Sequence, residues 1–316
     1  MSNVLIETRD LKKYFQVSSG TLHAVDGVNL AIDEGRTLGV VGESGCGKST
    51  LGRAILRLHE PTSGQVLFNG RDITGLSGRE MKEIRRQMQI IFQDPYSSLN
   101  PRMSVQELIA EPLLINKVLP KSQVYGEVSR LMELVGLAKR LESAYPHELD
   151  GGRRQRIGVA RALALKPRFV VCDEPVSALD VSIQAQILNL LMDLQDEMNL
   201  TYLFITHDLS VVKHISDDIA VMYLGMCVER AGTGELFRNP LHPYTRALLS
   251  AIPVPDTAMR KKKIPVIRGE VVSPINPKPG CRFATRCPHA TDTCFREIPE
   301  LREVSPQHFV ACHLCE

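Results

Sequence analysis

Apolar residues in this chain come in two rhythms. Short, almost unbroken runs, VNLAI (28–32), TLGVV (37–41), QVLFNG (65–70), MQIIF (88–92), RFVVCDE (168–174) and TYLFITH (201–207), are bounded by turn residues and read as strands. The later runs are uniform enough for strands covered by helices on both faces, which predicts a mostly parallel sheet. Between about 100 and 150 the rhythm lengthens. Val128, Leu131, Met132 and Val135 fall at i, i+3, i+4 and i+7, one face of a helix, so a helical insertion is expected over about 96–152. STLGRAILRL (49–58) is expected to be a helix ended by Pro61-Thr62-Ser63-Gly64. Past 250, prolines crowd around the basic run Arg260 to Lys263, which reads as a solvated linker. The expected organisation is therefore an α/β domain over 1–255 and, over 256–316, a linker with a small appended module.

Composition narrows the class. The chain has 316 residues, 43% hydrophobic and 23% charged, a soluble globular balance. A net charge of +2, with dispersed Lys and Arg, argues against a nucleic-acid partner. The N-terminus lacks the apolar core of a signal peptide, and no stretch approaches the length that spans a bilayer. A cytosolic setting is expected, where thiols stay reduced.

The clearest chemistry is GESGCGKST, comprising Gly42, Glu43, Ser44, Gly45, Cys46, Gly47, Lys48, Ser49 and Thr50. It satisfies G-x-x-x-x-G-K-[ST] between a strand and a helix. Glycines let backbone N–H groups wrap a phosphate at a helix N-terminus, Lys48 neutralises its oxygens, and Ser49 ligates Mg²⁺. A second apolar strand delivers Asp173 and Glu174 at its C-terminal end, where open α/β sheets place ligands. Asp173 would hold Mg²⁺ through water, and Glu174 would polarise an attacking water. Gln93 and His207 end two further strands. In ELDGGRRQRIGVARAL (148–163) a glycine pair opens a helix, a second anion-binding terminus. A head-to-tail pair of subunits would use both.

In their order, the phosphate loop, Gln93, LDGGR, VVCDEP, SALD (177–180) and TH (206–207) resemble the nucleotide-binding subunit of an ATP-binding cassette (ABC) transporter, over about residues 1–250. The resemblance implies a P-loop NTPase fold with an antiparallel β subdomain. It also implies that Tyr14 stacks on adenine, Gln93 senses Mg²⁺ and couples to the membrane partner, Asp180 crosses a dimer interface, His207 contacts the γ-phosphate and Glu174 is the catalytic base. QDPYSSLNPRMSV (93–105), NPLHPYTRALLSAIPVP (239–255) and the tail strings GCRFATRCPHA and VACH resemble peptide and nickel importer ATPases, especially the second ATPase of dipeptide or oligopeptide permeases. This implies ATP and Mg²⁺ as ligands and attachment to the cytoplasmic face of a membrane. The implied partners are two transmembrane permease subunits, a second, distinct ATPase and an extracytoplasmic binding protein. A nickel or other small-solute importer, or a largely regulatory ATPase, is the alternative.

One departure from the family matters. Where the signature loop usually reads S-G-G-Q, this chain has Asp150, Gly151, Gly152 and Arg153. Asp caps a helix about as well as Ser, but its carboxylate repels a partner's γ-phosphate by about 4 kcal/mol at about 4 Å in an effective dielectric near 20. An asymmetric dimer is expected.

The tail holds Cys281, Cys287, Cys294 and Cys312, with Cys315 behind them. Four thiolates in a cytosolic chain suit a metal site. The loose spacing, with Pro288 after Cys287, favours a [4Fe–4S] cluster over Zn²⁺. Such a cluster would pin a module too small for its own core.

Overall fold

The computed structural model describes residues 3–251 and 273–315; the basic run Arg260 to Lys263 and the expected linker up to residue 272 lie outside them. Twelve strands are present among the described residues. They are β1 (Val4–Val17), β2 (Gly20–Asp33), β3 (Thr37–Val41), β4 (Ser63–Phe68), β5 (Arg71–Asp72), β6 (Met88–Ile91), β7 (Phe169–Asp173), β8 (Thr201–Ile205), β9 (Asp218–Tyr223), β10 (Met226–Gly232), β11 (Arg302–Ser305) and β12 (His308–Val310). The chain divides into two compact units.

One unit comprises Ile6–Ile32, Thr37–Thr74 and the chain from Thr206 onward. It carries a small sheet in the order β2-β1-β4-β5, whose β1–β4 and β4–β5 pairings are antiparallel. It also carries the strands β11-β12-β10-β9-β3. Here β3 and β9 are parallel, while β9–β10, β10–β12 and β12–β11 are antiparallel. In this unit the sheet is thus mixed, with antiparallel strands added beyond the parallel pair β3–β9. The change of direction comes at Leu224-Gly225, where both residues have positive φ, 43° and 85°, the geometry of the two-residue hairpin turn that suits twisted strands. All five residues of β3 are buried, as its apolar run predicts.

The other unit is built on 75–205 with short segments near residues 5 and 35. Its strands β6, β7 and β8 are parallel and in register, with Cys172 opposite both Ile91 and Phe204. The helical insertion is present as Val105–Asn116, Lys121–Leu134 and Gly151–Leu163. Ser104 starts the first of these with a capping box to Glu107. Val128, Leu131, Met132 and Val135 are each at most 1% exposed, so the helical periodicity marks core.

The tail corrects one expectation. Among the described residues no group of three or more His, Cys, Asp or Glu side chains is placed to hold a metal ion, so Cys281, Cys287, Cys294 and Cys312 do not form a cluster or zinc site. Three of them make hydrogen bonds within the tail. The Cys287 sulfur accepts from the His289 N–H at 3.4 Å, Cys294 lies 3.5 Å from the Thr291 hydroxyl, and the Cys281 N–H donates to the Cys294 carbonyl at 2.7 Å. Burial, followed by the neighbouring tail thiols, raises the pKa of Cys281 and Cys287 and pushes Cys312 up to about 11. The expected Cys-rich metal module is replaced by ordinary packing: β12 extends the sheet at β10, and Phe283 packs edge-on to Tyr223 at 5.3 Å. Fully buried Glu229 fastens this edge, accepting the Leu241 and His242 N–H groups at 2.7 and 3.0 Å and pairing with buried His308 at 2.8 Å.

Candidate functional site

The chemistry-bearing residues are shared between the two units. In the first, buried β3 runs directly into the loop 42–50. Gly42 has φ 151° and Gly47 has φ 104°. A Cβ on Gly42 would sit 2.2 Å from the Met222 carbonyl oxygen, and one on Gly47 would sit 1.9 Å from that of Ala24, so neither position admits a side chain. Lys48 is 5% exposed and folds back over the loop, donating to the Gly42 and Glu43 carbonyls at 2.8 and 3.0 Å. The helix Lys48–Ile55 begins with no side-chain cap and no acidic residue in its first turn. Its N-terminal N–H groups and dipole therefore present positive potential with no carboxylate of the helix's own to offset it.

The loop is held from outside its own sequence. The Glu43 N–H donates to the Tyr244 hydroxyl at 2.9 Å. The Glu43 carboxylate takes two hydrogen bonds from Arg286, at 2.9 and 3.1 Å. The Cys46 carbonyl accepts from Gly225 N–H at 2.8 Å. His207 lies in the same unit, one residue after Thr206, whose N–H donates to the Val40 carbonyl at 3.2 Å. That bond sets His207 beside the end of β3, exposed, ahead of the helix Leu209–Ile215 that Asp208 caps. Tyr14 sits on β1, its ring stacked on His23 at 4.0 Å and its hydroxyl bonded to Asp26. Burial and the Asp26 carboxylate raise the phenol pKa, so Tyr14 stays neutral.

In the second unit β7 ends at Asp173, which is 2% exposed. Glu174 follows with φ 49°, a left-handed conformation that costs a non-glycine residue on the order of 1–3 kcal/mol. Its N–H donates to the Ile205 carbonyl at 2.9 Å, and its carboxylate accepts from the Gln93 amide at 2.8 Å. The strained backbone and the Gln93 bond together aim this carboxylate. Asp150 caps the helix Gly151–Leu163, accepting the Arg153 N–H at 2.8 Å, and pairs with the Arg153 guanidinium at 3.4 Å. A Cβ on Gly152 would press to 2.7 Å from Ile183, which explains the glycine there. Asp180 opens the helix Val181–Met198, with no side-chain cap bond of its own.

Gln93 and Glu174 are thus brought into contact, while Lys48, Ser49, Tyr14 and His207 lie in the phosphate-loop unit and Asp173, Asp150 and Asp180 in the other. The sequence reading missed Asp26, Tyr244, Arg282 and Arg286. Arg286 meets Glu43 across 243 positions, a separation no local pattern can reveal.

Comparisons with known proteins agree with this geometry. The ABC transporter family profile matches residues 25–177, and that of the oligopeptide/dipeptide transporter C-terminal region matches 228–294. The chain is 52% identical to the oligopeptide transport ATP-binding protein AppF of Bacillus subtilis over 98% of this chain and 97% of that protein. It is 53% identical to the oligopeptide transport ATP-binding protein OppF of Salmonella typhimurium over 98% and 96%. Among solved structures it is similar to the dimeric post-hydrolysis state of the ATP-binding cassette MJ0796 bound to ADP and phosphate, with TM-score 0.67, 28% identity and coverage of 72% of this chain and 99% of that one. It is also similar to cbiO1 from Clostridium perfringens, part of an ABC transporter complex, with TM-score 0.67, 28% identity and coverage of 75% and 92%.

Proposed function

This chain belongs to the ABC transporter ATPases, and from that premise we propose that it is the ATP-hydrolysing subunit that powers import of short peptides through a membrane permease. The reading is carried by the presence, in one unit, of an uncapped phosphate loop closed over by Lys48 and, in the other, of Glu174 held in a strained conformation and bonded by Gln93. Relatives near 52% identity over almost the full length, named for oligopeptide transport, support peptides as the cargo.

The residue roles follow from their chemistry. The loop 42–50 wraps the β-phosphate with backbone N–H groups, and Lys48 leaves its two loop carbonyls for the phosphate oxygens. Ser49, Gln93 and Asp173 supply the hard oxygen donors that suit Mg²⁺, which when bound neutralises phosphate charge. Glu174 takes a proton from the attacking water, His207 donates to the γ-phosphate, and Tyr14 stacks on adenine.

Among the described residues no helix is long and apolar enough to cross a membrane. The likeness to oligopeptide transport ATP-binding proteins supports a chain that works at the cytoplasmic face, on two transmembrane permease subunits, with a binding protein delivering peptide from outside. The opposing ATPase is a distinct subunit. Its nucleotide meets Asp150 and Asp180 of this chain, and Asp150 weakens that site, so the dimer is asymmetric. A regulatory reading would rest on Asp150 alone, and the Gln93–Glu174 pair argues against it. The test is Glu174→Gln in the assembled transporter. ATP turnover and peptide uptake should fall about 100-fold or more with ATP binding retained; continued uptake would overturn the reading.

A further inference from the structure

The chain beyond residue 272 runs back along the nucleotide-facing elements of its own unit and is stitched to them at three successive points. At the first, the Pro274 carbonyl accepts from His23 N–H at 3.0 Å, and Asn276 exchanges bonds with Thr21, at 2.9 Å each way. At the second, Arg282 pairs with Asp26 and donates to the Leu224 carbonyl at 3.0 Å. At the third, Arg286 grips both oxygens of Glu43 and reaches the Tyr223 hydroxyl at 3.2 Å. The two arginine side chains are only 6% and 7% exposed.

Each arginine meets a carboxylate that already organises a nucleotide-facing residue. Asp26 accepts the Tyr14 hydroxyl and lies 2.9 Å from His23 Nδ1, whose ring stacks under Tyr14. Glu43 lies within the phosphate loop, and its carbonyl takes a hydrogen bond from Lys48. A carboxylate at that place, half-buried, is a hazard for a loop meant to bind phosphate, since like charges repel. The bidentate guanidinium removes the hazard, because a fork-to-fork pair neutralises the charge and fixes the side chain's direction.

We propose that residues 273–286 form a positioning brace that sets nucleotide affinity: Arg286 neutralises and fixes Glu43 of the phosphate loop, while Arg282 fixes Tyr14 through Asp26. This rests on the reading of 42–50 as the loop that binds ATP. Arg282 and Arg286 are positioning residues, and the two ends of the brace act on different parts of the ligand. The C-terminal segment thereby becomes a determinant of the ATP site.

The experiment measures Mg–ATP and Mg–tripolyphosphate binding to the full-length chain by calorimetry, with melting temperature followed in parallel. Arg286→Met should weaken both ligands about tenfold, the loss of one charge-assisted pair. Adding Glu43→Gln to Arg286→Met should restore binding to within about threefold of the unchanged chain, because the unpaired carboxylate is then gone. Arg282→Met should weaken ATP and leave tripolyphosphate unchanged. If Arg286→Met fails to fold, Arg286→Lys and the double variant carry the same test, since Lys keeps the charge without the fork and should fall between the two. Binding by Arg286→Met equal to that of the unchanged chain, or a double variant worse than Arg286→Met, would overturn the brace. A Lys48→Ala control separates the two claims: if the unchanged chain binds neither ligand, or Lys48→Ala binds both as well, it is the ATP reading of the loop that fails.

Discussion

Two glycine-opened helix N-termini in this chain differ in one respect that decides what each can bind. At the phosphate loop the helix Lys48–Ile55 has no side-chain cap and no acid in its first turn, and a nearly buried Lys48 adds positive charge. At the loop 149–153 the helix Gly151–Leu163 already carries an anion of its own, the Asp150 carboxylate, bonded to the Arg153 N–H and paired with its guanidinium. The first end is built to receive a phosphate. The second has its place at the positive helix end taken, although the glycines that permit close approach are kept. The same backbone device therefore serves or resists an anion according to one capping residue.

The comparison can be broken most severely at Gly47. Gly47→Ala forces a Cβ to 1.9 Å from the Ala24 carbonyl at φ 104°, so loss of ATP binding by more than about 100-fold is expected by calorimetry, with a fall in stability of a few kcal/mol. Lys48→Ala should come next, with about a hundredfold loss of ATP affinity and a melting temperature within a few degrees of the unchanged protein. At the other loop the sign reverses. Asp150→Ser combined with Arg153→Gln should raise ATP turnover of the assembled transporter about tenfold, read by phosphate release.

Acid should distinguish the two loops more gently. The Tyr244 hydroxyl that holds Glu43 belongs to a helix capped by His242, whose pKa burial lowers to about 4. Because the folded protein resists protonating His242, its contribution is complete above pH 6.5 and is lost as pH falls from there towards 4, at about 1.4 kcal/mol per unit. Chemical denaturation between pH 7 and 5 should show that slope, and His242→Asn, which keeps a capping side chain, should remove it. The smallest effect is expected from Arg153→Gln alone. Its pair with Asp150 is exposed, so stability should change by less than about 1 kcal/mol.

How much of this could be read from the sequence depends on the distance over which each feature is encoded. The phosphate loop is local: strand, glycines, lysine and helix are contiguous, and the structure places them as the spacing requires. The helical insertion was legible for the same reason, since Val128, Leu131 and Met132 report one buried face directly. The β9–β10 hairpin was not. Its turn is Leu224-Gly225 rather than a familiar turn pair, and its strands are buried on both faces, so neither alternation nor turn chemistry betrayed it. The cysteines misled because spacing reports only that thiols are available. Whether they are placed to hold a metal ion together is set by the fold, and among the described residues no such group is found. Arg286 and Glu43 were invisible as a pair because an ion pair closed across most of the chain leaves no periodic trace.

The most direct test of the asymmetry is to trap nucleotide in the assembled transporter with vanadate and a photoreactive ATP analogue, then measure how label divides between this chain and the opposing ATPase subunit. Label concentrated on this chain's phosphate loop, moving towards equality in the Asp150→Ser, Arg153→Gln variant, is the predicted result. Equal labelling of both subunits in the unchanged protein would contradict it.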